Sequence, residues 1–414
     1  MGKLDELISL YCPDGVPHKT LGELGTFFGG LTGKSKDDFT DGNAKFITYK
    51  NVYSNPALQI DVEDRVKIAD REKQRTLQYG DVIFTGSSET PDECGISSVV
   101  TVKTEEKLYL NSFCFFFRFN DLSIMLPDFA KHLFRSSDLR YQIGKTASGV
   151  TRFNVSKKLM ENVIIPLPPL EVQSEIVRIL DNFTELTAEL TAELTARKKQ
   201  YEYYRDTVLT FGDDVPMVKL ADIATDIYRG AGIKRDEITP DGIPCVRYGE
   251  IYTSYDISFT ECISHTSDDV VATPKYFEHG DIIFTITGES VEEIAKSIAY
   301  LGYEKCMAGG DTVVMKHKQE PRYISYALST TTAQAQKSKG KVKSKVVHSS
   351  VPALKEIEIP LPDMETQKRI ADLLDNFHKL CNDISAGLPA EIEARQKQYE
   401  YYRDKLLNFK EMSV

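Results

Sequence analysis

The sequence predicts an α+β fold: two globular domains separated by two long helices, packed as an antiparallel coiled coil and related by a pseudo-two-fold. Three observations predict it. The 414-residue chain is written twice, with a period near 200. The best-repeated stretches carry a heptad-like seam, and the first has no glycine or proline across 170–208. The poorly repeated stretches alternate β-branched and aromatic runs with Gly-Asp turns, which suits strands.

The repetition is read directly from the residues. Ile165-Pro-Leu-Pro168 recurs as Ile359-Pro-Leu-Pro362, and Leu180-Asp-Asn-Phe183 as Leu374-Asp-Asn-Phe377. Lys199-Gln-Tyr-Glu-Tyr-Tyr-Arg-Asp206 recurs as Lys397-Gln-Tyr-Glu-Tyr-Tyr-Arg-Asp404. Gly80-Asp-Val-Ile-Phe-Thr85 returns as Gly280-Asp-Ile-Ile-Phe-Thr285. The match is close around 165–206 and 359–404 and scattered elsewhere, so one scaffold carries two domains that differ in their loops. The expected segments are 1–15, completing the helical region; 16–164, a first domain; 165–211, a central helix; 212–358, a second domain; and 359–414, a C-terminal helix.

Each helix follows a proline-rich lead-in, because proline disfavours helix in the residue before it. In the first, Ile176, Leu180, Phe183, Thr187, Leu190, Leu194, Arg197, Tyr201, Tyr204 and Val208 alternate spacings of four and three, as a seam does. At ~1.5 Å per residue the rod is roughly 55 Å long, and a rod with a seam buries it against a partner. The second copy supplies Ile370, Leu374, Phe377, Cys381, Ile384, Ile392, Tyr399, Tyr402 and Leu406. It holds four extra residues near Ala386-Gly-Leu-Pro389, where a kink or short break is expected. The first rod also contains Thr187-Ala-Glu-Leu190 followed by Thr191-Ala-Glu-Leu194. Thr187, Leu190, Thr191 and Leu194 thus mark a unit that lengthens the rod by ~6 Å per copy, a candidate ruler. The bland reading is helical filler.

Composition narrows the function. Forty-one per cent apolar and 27% charged residues are ordinary for a globular chain. No apolar stretch suits a membrane span, and the N-terminus lacks a signal-peptide core. Seven scattered cysteines without a C-x-x-C pair point to a reducing cytoplasm and to no metal. Catalytic motifs fail. Gly29-Gly-Leu-Thr-Gly33-Lys34-Ser35 lacks the first glycine of a phosphate loop, since Phe28 stands there. The histidines show no i,i+4 pair, and no G-x-S-x-G elbow exists.

Cations cluster in loops at matching places. The lysine run Lys337, Lys339, Lys341, Lys343 and Lys345 corresponds to Gly144–Arg152, with Lys145 and Arg152. Either is a solvated loop or a phosphate contact. Lys34, Lys36, Lys50 and Asn51 in the first copy, and Lys234, Arg235, Arg247 and Tyr248 in the second, fall on matching turns. Arg, Lys and Asn are residues that read base edges in the major groove.

A globular domain, an I-P-L-P lead-in with Gln173 or Gln367, a long helix ending in K-Q-Y-E-Y-Y-R-D, and then all of it again, resembles the DNA-specificity subunit of Type I restriction-modification enzymes. The resemblance covers the whole chain, most specifically Ile165–Arg178, Leu180–Phe183, Thr187–Leu194 and Lys199–Asp206 with their second copies. It implies that the variable domains are target-recognition domains, each reading half of a split site in double-stranded DNA. It implies that the helices set the unread gap and dock two methyltransferase subunits. It places S-adenosylmethionine on the methyltransferase, and ATP and Mg on two restriction subunits where these join, leaving no cofactor, catalysis or metal on this chain. The alternative reading is a cytoplasmic coiled-coil scaffold with protein-binding domains, suggested by the net charge of −11. That charge is spread: residues 1–169 hold 21 basic and 22 acidic side chains. An acidic total of this kind is compatible with DNA and predicts weak binding until basic partners dock.

Overall fold

The computed structural model describes residues 2–267, 269–341 and 346–412, the side chains of 381–386 apart. The chain divides into two compact units, Met1–Thr191 with Ala390–Val414, and Ala192–Pro389. Each unit holds one globular domain, part of one long helix and the complementary part of the other.

In the first unit, helix α1 (Lys3–Tyr11) precedes a four-stranded antiparallel sheet of β1 (Gly25–Gly29), β2 (Val82–Thr85), β3 (Ser97–Val99) and β4 (Cys114–Phe119), in the order β1-β4-β2-β3. Successive side chains on a strand face opposite ways. Val82, Phe84, Phe115 and Phe117 pack with α2 (Pro127–Leu133), α3 (Ser137–Gly144) and the start of the long helix α4 (Leu170–Val208). Ile83 and Phe116 face a smaller sheet of Ala44–Ile47, Arg65–Val66 and Leu108–Leu110. A sheet buried on both faces needs unbroken apolar runs, which explains Val82-Ile-Phe84 and Phe115-Phe-Phe117.

The second unit repeats the plan with β5 (Ala224–Arg229), β6 (Ser258–Phe259), β7 (Ile282–Thr285), β8 (Ser297–Tyr300) and β9 (Thr312–His317), in the order β5-β9-β7-β8-β6. It adds α5 (Pro321–Ser329), α6 (Thr331–Ser338) and the first part of α7 (Met364–Leu406). Ile282, Phe284 and Met315 pack with Leu374; Ile283, Ile298 and Val314 face the other way.

The repeated Gly-Asp turn has a structural cause. Gly80 and Gly280 sit at φ of +86° and +89°, where a Cβ is strained. The aspartate that follows is buried and closes the turn: Asp81 accepts from the Gln78 amide at 2.7 Å and Asp281 from that of Glu278 at 2.8 Å. Each pairs with a cation from the neighbouring strand, Arg118 at 2.6 Å and Lys316 at 2.8 Å. Burial pushes both carboxyls above the usual range while the cations oppose it.

The rods are single helices of 39 and 43 residues. In the first unit the start of α4 packs with the end of α7, and in the second the start of α7 packs with the end of α4, as antiparallel pairing requires. Of the kink or short break expected near Gly387 and Pro389, the break is corrected: α7 runs through Pro389. A proline removes one i→i−4 bond, and the turns on either side continue. Thr187, Leu190, Leu194, Arg197 and Tyr201 are half-buried along one stripe, whereas Thr191 points outward. Cys381 and Ile384, expected on the second seam, are among the side chains outside the description.

Candidate nucleic-acid interface and the clamps that position it

The repeated helix motifs hold the domains. In Leu180-Asp-Asn-Phe183, Leu180 is buried in the core and Phe183 stacks on Tyr402. Asp181 accepts from His132 Nε2 at 2.7 Å and from Lys131 Nζ at 2.9 Å, both on α2. The second copy does the same work with other residues. Asp375 accepts from Tyr326 Oη at 2.8 Å and Arg322 at 2.7 Å, both on α5, while Phe377 stacks on Tyr204. His132 is buried, and its Nδ1 lies 2.9 Å from Tyr399 Oη. Burial holds this imidazole below its usual pKa, with Asp181 opposing. A neutral ring that donates from Nε2 and accepts at Nδ1 satisfies both partners.

Two more repeated polar residues make matching bonds in both copies. Gln173 accepts from the Leu126 amide at 2.8 Å and donates to the carbonyls of Ile124 and Pro168. Gln367 accepts from the Glu320 amide and donates to Gln319 and Pro362. Asp404 caps α3 through the Ser137 amide at 3.0 Å, and Asp206 caps α6 through the Thr331 amide at 3.1 Å. Near-identity of the two rods is thus the signature of two equal sockets.

The candidate DNA-contacting residues divide into three groups. The second domain brings Arg235, Arg247 and Tyr248 to one open groove of about 650 Å³, floored by Gly309 and Gly310. Glycine is required at and beside this floor: a Cβ on Gly309 would stand 2.8 Å from the Val246 carbonyl, and one on Gly230 2.1 Å from that of Gly309. Arg247 is oriented by Glu250 at 2.7 Å, and Lys234 lies 3.4 Å from Glu237. In the first domain Arg152 lines a groove of about 720 Å³ with Tyr49, Ser87 and Phe113. Tyr49 and Tyr248 occupy the same place in the repeat. Lys36, Lys50, Lys145 and Lys339 are exposed, and Lys145 lies 4.0 Å from the Tyr141 ring. Lys341 donates to the His348 carbonyl at 2.6 Å.

A third group is tied inward; Lys34 lies in a loop as expected, whereas Asn51 and Lys337 sit in the helices Tyr49–Ser54 and α6 rather than on a turn or loop. Lys34, 9% exposed, donates to Glu72 at 2.6 Å and to the Lys67 carbonyl. That pairing holds the Glu72 carboxyl down at about 2 and leaves no lysine for a phosphate loop. Asn51 bonds Asn55 and Gln59 and so closes the turn after its helix. Lys337 is only 5% exposed: the lysine run begins inside α6, whose buried stripe is Ala333 and Lys337, four residues apart. Burial pulls its amine down to about 7. Lys343 and Lys345 lie outside the described residues. Sequence reasoning passed over Asp181, Asp375, Phe113 and Val150; for the aspartates the repeat itself was the available signal.

Among the described residues no cluster of histidine, cysteine and carboxylate side chains could hold a metal ion, and no helix is long and apolar enough to cross a membrane. A family model for the Type I restriction modification DNA specificity domain matches residues 13–197 and again 212–394. The chain belongs to that family. As a member of the specificity family it is 34% identical over 269 residues to the Type I restriction enzyme EcoR124I/EcoR124II specificity subunit of Escherichia coli. That stretch covers 62% of this chain and 65% of the Escherichia coli subunit, just under two thirds of its length. A putative type I restriction enzyme specificity subunit of Haemophilus influenzae is 30% identical over 273 residues, 63% of this chain and 68% of its own. The fold is shared with a solved chain described for complex assembly and conformational transition of the type I R-M system. It aligns over 96% of this chain and 98% of its own, with a TM-score of 0.61 and 19% identity.

Proposed function

We propose that this chain is the non-catalytic DNA-recognition subunit of a Type I restriction-modification complex. Each domain reads one half of a bipartite site in double-stranded DNA. The paired helices set the gap between the halves and dock two methyltransferase subunits, with restriction subunits as a further layer. S-adenosylmethionine then belongs to the methyltransferase, and ATP and Mg to the restriction subunit, in the cytoplasm.

The observation that carries this reading is the duplicated socket. Asp181 and Asp375 hold the two domains through equivalent acceptors, yet the grooves outside them are lined by different residues. Equal attachment of unequal reading surfaces is what a split asymmetric site needs. Two equivalent docking places are supported by Tyr203 and Tyr401, which sit at the same point of the two repeated motifs and are both exposed. Methylome sequencing of a host carrying this chain and its methyltransferase should show a split motif. A continuous motif, or none, refutes the proposal. Duplex binding by the complex should also fall steeply with salt, because phosphate contacts release counterions; a scaffold binding proteins would show no such slope.

A further inference from the structure

The first domain carries an exposed apolar feature that neither clamps nor core explain. Ala147–Ser148 and Phe153–Val155 form a hairpin, and the second of these strands also pairs with Ser87–Ser88. At its tip Gly149 takes a φ of +151°, where a Cβ would stand 2.0 Å from the Arg152 carbonyl. The tight tip pushes Val150 out to 91% exposure. Beside it Phe113 is 58% exposed, with the Arg152 guanidinium 5.9 Å from its ring and Arg152 Nε donating to Ser87 Oγ at 3.1 Å. Val150, Phe113 and Arg152 line the same groove, with Tyr49 opposite and Glu89 as its carboxylate.

The surroundings point to one occupant. Arg152 lines the groove, and the exposed Lys145 and Lys50 adjoin its lining in the chain, two residues before the hairpin and next to Tyr49, which gives it a cationic rim. Such a rim suits a phosphate backbone, and an apolar side chain held between phosphate contacts reaches base edges. In the major groove the one apolar group on a base edge is the thymine C5-methyl. The groove of the second domain is lined by two arginines, Arg235 and Arg247, with Tyr248 beside them.

We infer that Val150, supported by Phe113, reads a thymine methyl group in the half-site of the first domain. This rests on the DNA-recognition reading above. The test uses the complex with its methyltransferase subunits and duplexes carrying the split motif, in which thymines of one half or the other are replaced by deoxyuridine. That replacement removes the methyl and leaves every hydrogen-bonding edge. Wild-type affinity should fall in one half only, by roughly fourfold for each methyl in contact. Val150→Ser should bind the thymine duplex as weakly as the wild type binds the deoxyuridine duplex, with no further loss on deoxyuridine. The fully exposed position leaves folding of the variant intact. Equal binding of both duplexes by the wild type, an undiminished methyl effect in V150S, or halves without an A·T pair overturn the inference. Absence of any split motif overturns the reading beneath it instead.

Discussion

The ring of Phe183 lies stacked on that of Tyr402, with centroids 5.4 Å apart and planes 20° from parallel. Phe377 meets Tyr204 in the same way at 5.8 Å and 16°. Each pair joins the start of one rod to the end of the other. The aspartate two residues before each phenylalanine faces the adjoining domain. Four residues of sequence therefore contain core, socket and helix contact, which is why Leu-Asp-Asn-Phe is repeated unaltered while the groups entering the socket are not.

Removing one socket should loosen one domain. Asp181→Ala leaves His132 without its acceptor and Lys131 without one carboxylate, a loss of about 1–3 kcal/mol. Hydrogen exchange should rise in Pro127–Leu133 and stay unchanged in Pro321–Ser329. Asp375→Ala should produce the converse, through Arg322 and Tyr326. Equal effects of both variants on both helices would show that the sockets are not separate.

His317, at the end of β9, makes the second unit acid-sensitive. Burial holds its pKa at about 4, against about 6.5 in an unfolded chain. Between those values the unfolded state binds the extra proton, so stability is full above about pH 6.5 and declines as pH falls towards 4. The decline is of order 3 kcal/mol at most. Urea unfolding at pH 7.5 and 4.5 should show a smaller difference in His317→Gln than in the wild type.

Lys337→Met should stabilise the chain. The amine lies 3.4 Å from Ser297 Oγ, and among the described residues no carboxylate is within ion-pair range. Its folded pKa of about 7 stands below the unfolded value of about 10.4, so wild-type stability climbs with pH across that interval. Methionine fills similar space without the cost of taking the proton off a buried amine, a gain of about 1 kcal/mol or more at pH 7.5. Thermal unfolding measures it. The same variant should bind DNA with an unchanged salt slope, whereas a phosphate-contacting lysine would lower that slope by about 1.

The residues that made this architecture legible were those doing the same job twice. The seam from Phe183 to Tyr201 follows from its four-and-three spacing, and the strands at Val82 and Ile282 from unbroken β-branched and aromatic runs after Gly-Asp turns. The candidate interface was less legible because a lysine's sequence says nothing of where its amine goes. Lys34 and Lys337 look like their exposed neighbours, yet the first is drawn in by Glu72 and the second by the face of α6 it occupies. Val150 escaped for the opposite reason: a valine reads as core until a glycine-dependent turn turns it outward.

The tetrapeptide supplies the last test, because the division between the units falls within it, at Thr191. Deleting Thr191–Leu194 removes ~6 Å of helix and about 400° of rotation, one turn plus roughly 40°. The stripe that carries Thr187, Leu190 and Arg197 is nearly restored, so the helix pair should still form. At ~3.4 Å per base-pair step, the gap in the methylated motif should shorten by one or two base pairs. Deleting Ala192 alone rotates everything beyond it by about 100° and takes the later seam residues off the stripe. That variant should lose stability and methylation together rather than shift the gap. An unchanged gap after the four-residue deletion would mean that Thr187–Leu194 is filler; a shifted gap after the single deletion would mean that rotation does not constrain the pair.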